Sequence, residues 1–210
     1  LSASMKVILV LTLLSLAPFL LVMVTSFTRI IVVLHFVRSA LGTQTSPPNQ
    51  VLIGIALFLT LFIMAPVMTQ INKDCIQPYD KGKLTQEEAL NAGLKPIRKF
   101  MFEQTNRKDI RLFMEIEKQS NDVSIEKEDE IPTLVLIPAF MISELRIAFI
   151  IGFLIYLPFI VIDMVVASTL MSMGMMMLPP TTISMPFKIL LFVLADGWNL
   201  VIGQLVKTFY

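Results

Sequence analysis

The chain has 210 residues, of which 55% are hydrophobic and 16% are charged, and its mean hydropathy is +0.76. In soluble domains about a quarter of all residues are charged. This composition therefore excludes an ordinary soluble domain and indicates a membrane-class protein. The formal net charge of +1 excludes a large electrostatic field that would recruit nucleic acid or acidic ligands.

Charged residues are unevenly distributed along the chain. Residues 73–130 hold 11 of the 17 basic and 13 of the 16 acidic residues. The other charged residues are Lys6, Arg29, Arg38, Glu144, Arg146, Asp163, Lys188, Asp196 and Lys207. This segregation predicts N-terminal apolar helices over residues 1–72, a polar helical domain over 73–132 and C-terminal apolar helices over 133–210. Because residue 1 is Leu, we expect the native start to lie upstream, and a cleaved signal peptide there is left open.

Two apolar runs precede the polar domain. Residues 7–37 are interrupted by Pro18, by Thr25–Ser26 and by Arg29, whereas residues 51–71 form an uninterrupted run. A membrane-spanning helix needs roughly 20 residues, so the second run is expected to be one span. The first run is too long for one span and too short for two spans and a turn. We therefore expect a broken helix or a packed hairpin there.

The polar domain has the signals of short amphipathic helices. Residues 85–88 read Thr-Gln-Glu-Glu, which is a capping box that starts a helix. Pro96 is expected in the first turn of a second helix. Apolar residues at helical spacing between Ile110 and Met114 predict a third helix. The charged run Glu126–Glu130 is expected to be a solvated linker.

The C-terminal part contains two further apolar runs. Residues 147–178 carry Pro158 and Asp163 near their middle, and residues 189–206 carry Asp196 near theirs. The first of these runs is again too long for one span and too short for two. A broken helix or a packed hairpin is the expected arrangement, since unpaired backbone groups are not tolerated in lipid.

Residues 171–180 are unusually rich in methionine. Five of these ten residues are Met, and the run closes with Pro179 and Pro180. Methionine is unbranched and polarizable, so a cluster of it lines an adaptable apolar surface. Several copies of this run around a common axis would form a soft seal. The alternative interpretation is gap-filling core methionine, and the residues alone leave both open.

Signals of enzyme chemistry are absent from the sequence. It contains no Walker loop, no GxGxxG, no HExxH and no nucleophile elbow, so we expect no catalytic residues and no cofactor. The single Cys and single His exclude an intrachain disulfide and a His-cluster metal site. Asp163 and Asp196 lie inside apolar runs, where they are expected either to form an ion path or to be paired structurally. Glu144 and Lys188, at helix ends, are expected to pair between neighbouring copies.

An ordered set of motifs resembles one protein family over nearly the whole chain. The motifs are SFTRIIVVL at 26–34, PPNQVLIG at 47–54, IPAF at 137–140, SEL at 143–145, IGF at 151–153, VIDMVVAS at 161–168, MGMMMLPP at 173–180, PFK at 186–188 and LFVLADGW at 191–198. Together they resemble the FliP family of flagellar export-gate proteins and its injectisome counterparts. The last motif is closest to the flagellar branch, with Ala195 in a position where Val is expected.

The resemblance implies an all-α fold with helical hairpins and a small inserted helical domain, assembled into a ring or cone. In that family the ring is a homo-pentamer with FliQ-type and FliR-type subunits, and FlhB-type and FlhA-type export components work with it. The location implied is the bacterial inner membrane and the periplasm-facing core of the flagellar basal body, with the polar domain facing the periplasm. Unfolded flagellar substrate proteins would pass along the axis.

The resemblance also assigns residues to the pore. Met175, Met176 and Met177 match the methionine gasket that narrows the channel, and Gly174, Pro179 and Pro180 would support that loop. The physical argument agrees, because a ring of Met closes by dispersion and dewetting and yields to a passing chain. The leading alternative is a secondary transporter that uses Asp163 and Asp196 as coupling carboxylates. A monomeric membrane scaffold would leave the Met cluster unexplained.

Overall fold

A computed structural model describes residues 3–118, 131–175 and 177–210. These residues are predominantly helical, and none of them forms a strand, which confirms the all-α fold class. The helices are α1 (Ala3–Met23), α2 (Phe27–Ala40), α3 (Asn49–Ile71), a π-helical turn (Asn72–Ile76), α4 (Gln77–Asp80), α5 (Gln86–Gln104), α6 (Arg107–Lys118), α7 (Thr133–Ser172), α8 (Pro180–Leu194) and α9 (Gly197–Lys207).

The chain forms two compact units, each built from two separate segments. The first unit combines Leu1–Thr28 with Met64–Glu144, and the second combines Arg29–Ile63 with Leu145–Tyr210. Helices α3 and α7 therefore each contribute one part to each unit. The domain boundaries expected at residues 72 and 132 stay a prediction.

The capping box at the start of α5 is confirmed. The Thr85 hydroxyl accepts a hydrogen bond from the Glu88 amide at 3.4 Å, and a Glu88 carboxylate oxygen accepts one from the Thr85 amide at 2.8 Å. Hydrogen bonds from the Thr85 amide and hydroxyl lower the pKa of Glu88, because they favour its charged form. The charged carboxylate also interacts favourably with the positive end of the helix dipole.

The helix start expected at Pro96 is wrong. Pro96 lies inside α5, which continues unbroken to Gln104. A proline in a helix interior removes one backbone hydrogen bond, but buried residues on both sides hold this helix together. These are Ala89 before the proline and Phe100 and Met101 after it. The linker expected at Glu126–Glu130 lies outside the described residues.

The third polar helix is confirmed as α6, and its buried face carries Ile110 and Met114. Side chains from α5 and α6 attach to the first part of α7 within the same unit. The rings of Phe100 and Phe140 meet edge to face with centroids 6.0 Å apart. The Ser143 hydroxyl donates to a carboxylate oxygen of Asp109 at 2.6 Å. Apolar and polar contacts thus fix the polar helices to α7.

The two long apolar runs behave differently. The run over 7–37 is broken at residues 24–26, between α1 and α2, as expected. The break or hairpin expected within 147–178 is wrong up to Ser172, because α7 continues through Pro158 as one helix of 40 residues. At 1.5 Å per residue this helix is about 60 Å long, roughly twice the thickness of a hydrocarbon core.

Length and apolar composition qualify two described helical stretches as candidate membrane spans. They are Asn49–Asp80 and Thr133–Ser172, and α8 with α9 forms a third only if the pair, bent by 66°, is counted as one broken span. In the second unit, the buried core contains Val37, Ala40, Leu41, Phe159 and Phe192. This core joins α2 to α7 and α8, and it positions the α7–α8 hairpin that carries the methionine run.

Candidate functional site

The methionine run forms the turn of the α7–α8 hairpin, and a specific backbone motif closes α7. Gly174 has a φ of 74°. Its amide donates to the Met171 carbonyl at 3.0 Å, and the Met175 amide donates to the Leu170 carbonyl at 3.0 Å. These two bonds define a Schellman motif with glycine in the left-handed position. A Cβ added at Gly174 would meet no atom within 4 Å, so its positive φ, and not close packing, requires glycine.

Three methionine side chains of this turn are exposed. The exposed fractions are 67% for Met173, 43% for Met175 and 98% for Met177. Met176 lies outside the described residues. Exposed apolar side chains gathered on one turn are unusual in a monomeric protein and mark an interaction or binding surface. Within the described residues, the turn is therefore a surface that another chain or another copy can contact, and not part of the core.

Two prolines fix the start of the next helix. Pro179 is the N-cap of α8, with φ −68° and ψ 116°, and Pro180 is the first helical residue. Proline fits the first helical position because its missing amide hydrogen would have no partner there. The Thr182 amide donates to the Pro179 carbonyl at 3.1 Å. The turn is consequently held between a glycine stop on α7 and a proline start on α8.

A charged cluster connects the two helices below the turn. The Lys188 ammonium donates to one carboxylate oxygen of Asp163 at 2.6 Å, and the Ser184 hydroxyl donates to the other at 2.5 Å. The Lys188 side chain is 2% exposed, whereas that of Asp163 is 25% exposed. Charge-assisted hydrogen bonds of this kind are the strong class in proteins. The cluster fastens α8 to α7 and so supports the methionine turn.

Sequence reasoning found both charges of this cluster but missed Ser184 and Gly42. Ser184 lies four residues before Lys188 in α8, so both side chains share one helix face, and this spacing is a usable sequence signal. Gly42 has a φ of 76°, and a Cβ added there would lie 4.0 Å from the Lys188 ammonium nitrogen. That distance is an ordinary contact, so the positive φ is what favours glycine at this position.

Glu144 occupies a different part of the structure from Lys188. It belongs to the first unit and is fully buried, whereas Lys188 belongs to the second unit. The adjacent Ser143 hydroxyl bonds Asp109 and also accepts from the Asn106 amide at 2.9 Å. Glu144 therefore sits on α7 where the polar helices are attached to it.

Asp196 lies at the bend between α8 and α9. It has a φ of 50°, the only positive value among non-glycine residues in the part of the chain described. Its carboxylate accepts a hydrogen bond from the Asn199 side-chain amide at 3.0 Å. The next residue is Gly197, where an added Cβ would lie 2.4 Å from the Phe192 ring. Asp196 and Gly197 thus set the bend, and Asp163 and Asp196 make separate contacts.

Arg29 is a buried charge inside the first apolar run, and the sequence alone assigns it to no site. Its guanidinium donates to the carbonyl and the hydroxyl of Thr208 at 3.1 and 3.0 Å. The same group lies 3.9 Å from the centre of the Phe209 ring, which is a cation–π geometry. Arg29 thereby fastens α2 to the residues that follow α9. The sequence separation of these partners leaves no local signal for the contact.

Comparisons with known proteins identify the family. The family model described as FliP family matches residues 10–205. The chain is 53% identical over 208 residues to the flagellar biosynthetic protein FliP of Bacillus subtilis (strain 168), covering 99% of this chain and 93% of that protein. It is 48% identical over 206 residues to the Aquifex aeolicus (strain VF5) protein of the same name, covering 98% and 86%. The chain therefore belongs to the FliP family.

Proposed function

We propose that this chain is a pore-forming core subunit of the flagellar type III protein export gate. In this role it passes unfolded flagellar proteins through a channel that its methionine turn narrows. Membership of the FliP family and the names of its relatives, which are flagellar biosynthetic proteins, support the general role. The proposed gate residues are Met175, Met176 and Met177, held by Gly174, Pro179 and Pro180.

The single observation that carries the gating proposal is the exposed methionine turn. Met177 is 98% exposed at the tip of a hairpin whose two ends are fixed by Gly174 and Pro179. A single copy gives these side chains nothing to seal against, so a seal requires further copies. A ring of such turns would dewet the axis and would block ions while remaining deformable.

The assembly is proposed on the same basis. We expect a homo-oligomeric ring in the bacterial inner membrane, completed by FliQ-type and FliR-type subunits and joined by FlhB-type and FlhA-type components. The extensive exposed apolar surface of α7, including Phe149, Phe153 and Val161, supports burial against lipid or other subunits. The periplasm-facing placement of the polar helices belongs to this proposal.

The alternative of a secondary transporter has less support. That function needs Asp163 to exchange an ion or proton, but both of its carboxylate oxygens already accept hydrogen bonds from Ser184 and Lys188. Asp196 is occupied in setting a helix bend and makes a separate contact with Asn199. These contacts favour a structural role for both carboxylates.

Deletion of Met175–Met177 tests the proposed function. We expect the ring to assemble, because Gly174, Pro179 and the Asp163–Lys188 pair all remain and only the Met175 amide bond to Leu170 is lost from the described anchors. We expect the membrane to become permeable to small ions. Assembly is measured by native mass spectrometry after co-expression with the partner subunits, and conductance is measured in membrane vesicles. The matched control replaces Met68 and Met164, which are exposed on helices, with Ala. A deletion variant that assembles and stays as tight as the control contradicts the gate.

A further inference from the structure

We propose that the methionine turn is a site of reversible oxidation by peroxides, and that oxidation of Met173, Met175 and Met177 opens the seal. This inference rests on the proposed function and adds a chemical control of the same site. The three thioethers belong to exposed side chains in the single chain. Accessibility decides which methionines in a folded protein react with a small oxidant.

The chemistry is a two-electron oxygen transfer. The thioether sulfur attacks the distal oxygen of a hydroperoxide, the O–O bond breaks and an S–O bond forms. The sulfur is oxidised to the sulfoxide, and the hydroperoxide is reduced to water or an alcohol after taking up the displaced proton. Methionine sulfoxide reductases reverse the change, so the modification can act as a switch.

Oxidation changes the property on which the proposed seal depends. A thioether is apolar and polarizable, whereas a sulfoxide is polar and accepts hydrogen bonds from water. An apolar constriction closes by excluding water, so sulfoxides in the ring allow water and ions to enter. The Schellman turn at Gly174 uses only backbone hydrogen bonds, so the loop keeps its fold while its surface changes.

The chain provides its own internal controls. Met101 and Met114 are each 1% exposed in the first unit, so their sulfur atoms are shielded in the single chain and in any assembly. Met68 and Met164 are exposed on the helices α3 and α7. The proposed ring would cover such helix surfaces with lipid or neighbouring subunits. The two faces of a seal across the channel still meet water, and a small oxidant reaches the turn methionines from there.

The first experiment treats the purified full chain, and then the assembled gate, with graded hydrogen peroxide and measures each sulfoxide by peptide mass spectrometry. We expect the three turn methionines to react about tenfold faster than Met101 and Met114 in both preparations. Met68 and Met164 should react in the single chain and become protected in the gate. Turn methionines that react no faster than Met101 and Met114, or that become protected on assembly, overturn the inference.

The second experiment measures ion conductance of vesicles that contain the assembled gate, before and after peroxide. We expect conductance to rise and to return after treatment with methionine sulfoxide reductases A and B. A variant with Met173, Met175, Met176 and Met177 all replaced by Leu keeps an apolar turn without sulfur and should not respond. A peroxide response of equal size in this variant overturns the inference.

The deletion of Met175–Met177 in the same vesicles separates the two proposals. If the deletion raises conductance and peroxide does not, the gating proposal is supported and the oxidation proposal is wrong. If neither treatment raises conductance in an assembled gate, both proposals fall.

Discussion

Individual charged residues carry much of the structural information in this chain. Asp163 and Lys188 were recognisable in the sequence because charges in apolar runs are expensive and therefore paired or functional. Their partnership was not recognisable, since it requires α7 and α8 to fold back on each other across the methionine turn. The separate Arg29–Thr208 contact shows the same limit over a still longer separation. Sequence thus identifies buried charges but not the partners that a tertiary fold selects.

The unequal burial of the Asp163–Lys188 pair predicts unequal costs of breaking it. Asp163→Asn leaves an ammonium that is almost fully buried and should lower the free energy of unfolding by about 3 kcal/mol. Lys188→Met leaves a carboxylate that water can still reach, and should cost about 1 to 2 kcal/mol. The measurement is thermal unfolding of the purified chain in mild detergent.

The double variant Asp163→Asn with Lys188→Met provides the control for this pair. It removes both charges, so it should cost less than the sum of the single variants. Equal losses of unfolding free energy in the two single variants would contradict the unequal burial of the pair. A loss in the double variant equal to the sum of the single losses would contradict the pairing itself.

At the scale of the element, local signals were reliable where a helix begins and poor where a proline lies inside one. The capping box at Thr85 depends on residues within one turn, and it formed as expected. Pro96 and Pro158 carry a strong breaking signal, yet both lie inside continuous helices. A proline breaks only one backbone bond, and for Pro96 burial on both sides explains why the tertiary context prevails. The Schellman turn at Gly174 was visible only as a glycine within the methionine run.

Two helical glycines have different surroundings, and this predicts opposite effects of replacing them with alanine. Gly152 of α7 packs closely against α2, whereas Gly54 of α3 has open space around it. A Cβ at Gly152 would lie 2.4 Å from the Phe36 ring, whereas a Cβ at Gly54 would meet nothing within 4 Å. Gly152→Ala should lower the free energy of unfolding by about 1 to 2 kcal/mol, because overpacking outweighs the gain in helix propensity. Gly54→Ala should raise it by up to about 1 kcal/mol. Both are measured by thermal unfolding of the purified chain, and the same sign for both variants would refute this account of the packing.

At the scale of the whole molecule, composition and pattern predicted the class well. The apolar helices and the helical polar segment followed from hydropathy and spacing, and the resemblance supplied the family and the all-α fold class. The interleaving of two units did not follow from any local pattern, because it depends on which distant segments pack together. For the same reason the methionine turn could be located in the sequence, while its support by Ser184 and Lys188 required the structure.

Assembly through Glu144 and Lys188 stays a prediction, and the structure sharpens its test. Glu144 is fully buried in the single chain, so a pair between copies requires its surroundings to open on assembly. Glu144→Lys should reduce the yield of the ring, and adding Lys188→Glu should partly restore it. Lys188 also binds Asp163, so Lys188→Glu would place two carboxylates side by side. Both variants therefore also carry Asp163→Asn, which removes this repulsion. Native mass spectrometry counts the copies, and a combined variant no better than Glu144→Lys alone rules out the pair.

The interleaved units delay folding of the second unit while the chain is being synthesised. The apolar segment Arg29–Ile63 must wait for Leu145–Tyr210 before its unit can close, and roughly 80 residues lie between them. At about 5 to 20 residues per second, a ribosome needs roughly 4 to 16 s to make that interval. During those seconds the nascent apolar helices lack their own packing partners, and some external surface, a bilayer or a chaperone, has to shield them. The arrangement makes the nascent chain depend on its cellular surroundings until its second unit closes.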